Sequence, residues 1–208
     1  MILQQQLRQG VDSLGLSVSA TTEKKLLDFI VLLMKWNRTY NLTAIRDPAE
    51  MVTHHLLDSL SVVPALEGAK SLIDVGSGAG LPGLPLSMVL PDLEIASVEA
   101  SQKKAAFQQQ AKIELHLPNV SICSLRIEDY KPVLLPDGVI SRAFSSLAGF
   151  IKAAGHLVGV NGKLIAMKGK RPSDEMAALP AGWGVASEQP LSVPGLDAER
   201  FLVVLKRV

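Results

Sequence analysis

The stretch Ile-Asp-Val-Gly-Ser-Gly-Ala-Gly-Leu-Pro-Gly-Leu-Pro, residues 73–85, constrains this chain more than any other, because it sets four glycines within eight positions directly after an apolar run. Residues 71–75 read as a strand, and glycine supplies the φ > 0 conformations that a tight strand-to-helix turn requires. Such a unit opens a parallel α/β sheet and puts a ligand crevice at the carboxyl end of its first strand. Two registers are available. From Gly78 the stretch spells G-x-G-x-x-G, with Gly80 and Gly83 completing a dinucleotide fingerprint; from Asp74 it spells D-x-G-x-G-x-G. In a dinucleotide loop the first glycine closes the strand, and the next helix offers its amides to a pyrophosphate. Here Gly76 already closes the strand, so that register starts late and fits poorly.

The surrounding sequence fits such a sheet. Val- and Ile-rich runs at 71–75, 93–98, 120–124, 138–141 and 163–167 alternate with helical stretches, the signature of parallel strands with crossover helices. Two further runs, 184–188 and 201–206, are joined by a loop holding Pro and Gly, which predicts a terminal antiparallel hairpin. Upstream, Leu26, Leu27, Ile30, Leu33 and Met34 recur with helical period, and Trp36 extends their face. Asp47-Pro48-Ala49-Glu50 then offers a cap, a proline at the first helical position and an acid for a second helix reaching about residue 63. The expected organisation is a helical extension, 1–66, packed on an α/β core, 67–208, of about seven strands. No window approaches the roughly 18 uninterrupted apolar residues of a membrane span, and the polar first residues do not read as a secretory signal. A cytoplasmic protein is expected. The single cysteine, Cys123, excludes an internal disulfide and a multi-cysteine zinc site, and reads as buried filler in a strand.

In its second register the turn resembles the first motif of S-adenosylmethionine-dependent methyltransferases, which implies a Rossmann-like class I sheet with the helical region as an N-terminal cap. That cofactor carries no phosphate; it presents an amino acid, a ribose and an adenine around a sulfonium cation. Gly76, Gly78 and Gly80 let the backbone approach it closely. The free amide of Leu81, at a helix start opened by Leu81-Pro82, would meet the methionine carboxylate, and Asp74 would accept near the ammonium. Glu99 ends the second strand 25 residues after Asp74, in the place of an acid that binds a ribose diol. Ser-Leu-Arg-Ile-Glu-Asp-Tyr, 124–130, follows the third strand, where backbone groups of Ile127 and Glu128, or the Glu128 carboxylate, would pair with adenine. The alternative for this segment is a solvated loop with Asp129 as a helix cap.

Five segments, KWNRTYNLTAIRDP, HHLLDSL, DVGSGAGLPGLPL, DGVISRAF and MKGK, together resemble the bacterial glucose-inhibited division protein B family, the small-subunit ribosomal RNA guanine-N7 methyltransferases. The resemblance runs over nearly the whole chain. Many methyltransferases share the glycine loop, whereas the N-terminal block and the segments around Arg142 and Lys168 are more specific. Ala79 is a local departure, at a position where the family often has proline. The resemblance implies that Gly76, Leu81, Ile127, Glu128 and Arg142 contact the cofactor or frame its pocket, and that the substrate is a guanine of 16S ribosomal RNA.

Guanine N7 holds a lone pair and no proton in neutral RNA, so it can attack a sulfonium methyl in line, and no catalytic general base is required. The absence of an N-P-P-Y-like segment fits that target. Arg142, after the strand at 138–141, would grip a phosphate or donate to guanine O6, with a surface salt bridge as the plain alternative. Lys168, Lys170 and Arg171 form a basic lip for phosphates or, for the last two, a solvated cluster. Asn41 and Arg46 either reach over the pocket mouth or serve turn chemistry. His54, His55 and Asp58 share a helix, in packing or capping roles or on the substrate side, and no further ligand signals a metal. The implied partner is small-subunit ribosomal RNA, naked or in an assembled particle, bound by a monomer with no membrane contact. A net charge of +1 leaves room for assembled protein surfaces to help recognition. Two other functions use the same residues: methylation of a small molecule or protein, and RNA-binding assembly without catalysis. A nicotinamide oxidoreductase is disfavoured by the glycine register.

Overall fold

The computed structural model describes residues 2–208. Helix α1 (Ile2–Ser13) leads to α2 (Ala20–Tyr40), whose start is fixed by the Ser19 hydroxyl accepting the Thr22 amide. Helix α2 ends at Asn41, which takes the left-handed conformation. The Asp47 carboxylate then accepts the amides of Ala49 and Glu50 to cap α3 (Pro48–Met51), with Pro48 in the first turn as the sequence predicts.

The single regular helix expected from here to residue 63 is not what forms. A π-helical segment, Val52–Leu57, follows α3 and passes into α4 (Asp58–Leu60) and a 3-10 turn, Val63–Leu66. The Asp58 amide donates to the Thr53 carbonyl, five residues back, so one extra residue is accommodated and the faces beyond it rotate. The reason lies in what the segment buries. Met51, Val52, Leu56, Leu57 and Leu60 all lose contact with water, and so do the polar His55 and Asp58, which a one-sided amphipathic helix could not achieve.

The remaining elements alternate: β1 (Ser71–Val75), α5 (Gly83–Val89), β2 (Glu94–Val98), α6 (Gln102–Glu114), β3 (Val120–Cys123), β4 (Gly138–Ser141), α7 (Leu147–Ala154), β5 (Lys163–Lys168), α8 (Ser173–Ala177), β6 (Trp183–Pro190) and β7 (Phe201–Arg207). They build one seven-stranded sheet in the order β3-β2-β1-β4-β5-β7-β6. Strands β1 to β5 pair in parallel, whereas β7 runs antiparallel to both β5 and β6. The terminal hairpin is therefore present, with its second strand seated inside the sheet. Between β3 and β4 the chain makes only a short 3-10 turn, Ile127–Asp129.

Strand alternation divides the core. Ile73 and Val75 of β1 pack with Phe150, Leu147 and Ala154 of α7, while Leu72 faces Leu86 of α5 and Val62. Helices α1 and α2 lie over α5 and α6 in one apolar cluster, in which Phe29 meets Phe107 with ring centroids 6.0 Å apart. Burying a side chain of that size stabilises by about 1.5–3 kcal/mol. Cys123 departs from its expected core role: it ends β3 half-buried, and burial raises its thiol pKa. No helix of the described residues is long and apolar enough to cross a membrane.

Candidate functional site

Strand order reverses on either side of β1, which pairs with β2 on one flank and β4 on the other, so the crevice beyond their carboxyl ends is a topological switch point. The glycine turn borders it. The Gly76 amide donates to Val98 O at 2.9 Å, tying the turn to the end of β2. Gly76, Gly78 and Gly80 all have positive φ, of 64°, 58° and 80°. At Gly76 a Cβ would also stand 3.0 Å from the Cβ of Ala143, across the gap between β1 and the chain leaving β4. The fourth glycine has a different task. A Cβ on Gly83 would fall 2.8 Å from Oδ2 of Asp74, the atom that accepts the Gly83 amide at the same distance. Gly83 thus lets α5 close down on β1, which explains why the stretch carries more glycines than the turn needs.

Asp74 is fully buried, and its second oxygen, Oδ1, has no hydrogen-bond partner. Burial pushes its pKa up to about 7, opposed by the Gly83 amide and by Arg142 and reinforced by Glu99. A buried carboxylate with an unused acceptor welcomes a cationic donor and repels a phosphate. The donor set therefore suits an ammonium-bearing cofactor better than a dinucleotide. Glu99 spans two amides, with Oε2 accepting from Gly78 and Oε1 from Ser101, each at 2.8 Å. Each of its oxygens keeps acceptor capacity for a further donor. Ile127 is half-buried and Glu128 exposed in the short turn after β3.

One expectation requires correction. The Leu81 amide is not free for a ligand, since it donates to Ser77 O at 2.8 Å together with the Gly80 amide. Helix α5 starts at Gly83, two residues later than Leu81, because the turn's own hydrogen bonds consume the amides before it.

The basic residues are distributed unevenly. Arg142 contacts Asp58 (Nη1 to Oδ2, 2.9 Å) and donates from Nη2 to His54 O at 3.4 Å. Arg200, from the loop before β7, donates from Nε to the other Asp58 oxygen at 2.8 Å. Asp58 is 2% exposed, so two guanidinium groups share one buried carboxylate and the cluster keeps a net positive charge. His55 lies beside it; burial and Arg142 lower its pKa to about 4, so the ring is neutral and accepts or donates at Thr43 Oγ1, 3.0 Å away. A buried neutral ring is packed into the protein and does not meet RNA as a cation. Lys168 is held by Ser145 O at 2.8 Å and by Glu175, while Arg171 pairs with Glu188. Lys170 is exposed and has no ion pair among the described residues. Arg46 donates to Asn41 Oδ1 at 3.1 Å, and the left-handed Asn41 is accounted for by turn chemistry. Among the described residues no group of acidic, His or Cys side chains could hold a metal.

Sequence reasoning missed Arg200, Ser77, Ser97 and Gln108. The last three form a buried chain: the Ser97 hydroxyl donates to Gln108 Oε1 at 2.6 Å, and Gln108 Nε2 donates to Ser77 Oγ and Gly78 O at 2.8 Å each. The available signal was a glutamine at the buried helical spacing of Ala105 and Ala111, concealed in a run of three glutamines.

The family model for GidB, rRNA small subunit methyltransferase G, matches residues 22–203. A protein of Azoarcus sp. (strain BH72), ribosomal RNA small subunit methyltransferase G, is 58% identical over 201 residues, which cover 97% of this chain and 95% of that protein. Among solved structures, TrmN from Thermus thermophilus superposes with a TM-score of 0.58 at 15% identity, covering 72% of this chain and 48% of that one. The structure of M. jannaschii TYW2 in complex with AdoMet gives 0.54 at 12% identity, covering 71% and 74%.

Proposed function

This chain belongs to the GidB family of rRNA small subunit methyltransferases, and from that premise we propose that it transfers a methyl group from S-adenosylmethionine to N7 of a guanine in small-subunit ribosomal RNA. The observation that carries the reading within the site is the buried carboxyl of Asp74, with one oxygen unpartnered behind a turn of left-handed glycines. When bound, S-adenosylmethionine supplies an electrophilic methyl on a sulfonium centre. The chain's part is to bind and align. Asp74 favours the ammonium, Glu99 accepts from the ribose diol, Ile127 and Glu128 border the adenine, and Gly76 leaves the approach open. Arg142, with its share of the positive charge around Asp58, faces the acceptor's phosphates or guanine O6. Proton abstraction is not needed at N7, and His55, buried and hydrogen-bonded to Thr43, serves packing and not proton transfer in this reading.

The substrate in this reading is the assembled particle. Lys168 and Arg171 are engaged within the chain, which leaves Lys170 as the one unpaired cation of the basic lip among the described residues, and with a net charge of only +1 this favours a substrate held by more than phosphate contacts at that lip. The decisive experiment maps methylated nucleotides by mass in small-subunit RNA after incubation of the protein with labelled S-adenosylmethionine and small-subunit particles. Label in a single N7-methylguanine is expected; label in another base, or none, overturns the assignment.

Asp74 also predicts a pH dependence. Its carboxyl is largely protonated below about pH 7 in the free protein, and a bound cation favours the ionised form. Cofactor affinity should therefore rise about tenfold between pH 5.5 and 7 as proton release ceases to oppose binding. The sign for stability is opposite: the unfolded chain gives up this proton first, so the fold loses stability as pH climbs from the ordinary carboxylate range towards 7. Equilibrium dialysis across that range, with Asp74→Asn as the variant that keeps an acceptor for Gly83, tests the first effect. A slope that persists in the variant would assign it to another group.

A further inference from the structure

The glycine turn raises a physical question that its own sequence does not answer. Glycines gain access to positive φ by giving up conformational restraint, so a turn built on three of them needs an outside group to hold one shape. Gln108 is such a group. It is completely buried on α6, between Ala105 and Ala111 and beside Phe107. Gly78 O can only accept, so the amide nitrogen faces it, and the Ser97 hydroxyl must then be the donor to Oε1. On the other side of the same residue, Gly78 N is held by Glu99. The Ser77-Gly78 segment is thereby fixed through a hydroxyl, a carbonyl and an amide, by α6 on one side and by the end of β2 on the other.

We infer that Gln108 is a positioning residue for the cofactor: by gripping Ser77 Oγ and Gly78 O from α6 it holds the glycine turn in the shape that receives S-adenosylmethionine, with Ser97 orienting its amide. This rests on the function proposed above. Gln108 itself is sealed from the crevice, so its effect reaches the cofactor only through the turn. The chemistry of transfer and the contacts to RNA do not involve it.

The test is steady-state kinetics on the full chain with small-subunit particles. Gln108→Glu keeps the shape of the side chain but loses both donated hydrogen bonds: the carboxylate oxygen faces the Gly78 carbonyl, which can only accept, and the Ser77 hydroxyl, which would have to turn to donate. The KM for S-adenosylmethionine should rise at least about tenfold, with kcat and the KM for particles within about twofold of wild type. Ser97→Ala leaves every contact to the turn in place and removes only the support of Oε1, so it should raise the cofactor KM in the same direction by a smaller factor. It also decides the matter if Gln108→Glu fails to fold. An unchanged cofactor KM in the soluble variant, or a parallel rise in the KM for both substrates, overturns the positioning role. Wild-type protein that does not bind S-adenosylmethionine overturns the proposed function and this role together, whereas wild-type binding with an indifferent variant overturns this role alone.

Discussion

Replacing Asp58 by alanine is expected to destabilise the protein by about 3 kcal/mol, the lower end of the range for breaking a buried ion pair. The carboxylate is almost completely buried and pairs with Arg142 on one oxygen and Arg200 on the other. Its removal leaves two guanidinium groups facing each other. The lower end applies because the arginine side chains are 26% and 23% exposed, and water can partly solvate them once the anion is gone. Urea unfolding of Asp58→Ala and Arg200→Ala checks the point, and the single arginine removal should cost less because Asp58 keeps its other partner. A loss below about 1 kcal/mol for Asp58→Ala would mean that this cluster is not holding the helical region to the sheet.

The second large effect concerns the ligand instead of the fold. Gly76→Val is expected to weaken S-adenosylmethionine binding by about a hundredfold or more, equivalent to roughly 2.7 kcal/mol. Valine at φ 64° is strained by its branched Cβ, and that atom would press on Ala143 across the mouth of the crevice. Gly76 is exposed, so the cost to folding should stay within about 1–3 kcal/mol, and a thermal melt should still show one cooperative transition. Equilibrium dialysis with labelled cofactor measures the loss. Unaltered affinity would move the pocket away from this turn.

Local patterns carried most of the fold. Strands β1 to β5 and β7 were legible because their apolar runs are short and bounded, and α2 because Leu26, Ile30 and Leu33 keep helical period over several turns. The placement of Asp74, Gly76 and Glu99 beside the crevice was legible for a related reason: they sit at or next to strand ends, where chain position and spatial position nearly coincide. The rest depended on distance. Asp58 and Arg200 are separated by 142 positions, and nothing near either announces the other. The π-helical segment was hidden because its cause is burial on every side, a property of its neighbours. Leu81 was misread because helix-start rules give it a free amide, while the glycine turn before it supplies an acceptor at Ser77 that the pattern does not show.

The placement of β7 between β5 and β6 sets a schedule for assembly. It is the last strand in chain order, yet it fills an interior slot, so β6 has no partner in the sheet until β7 arrives. During synthesis the Rossmann half can condense early, while a gap stays open along one edge and Asp58 waits for its second cation, which is delivered by the residue just before β7. The cleft therefore acquires its finished electrostatics only once Arg200 and β7 have joined the fold.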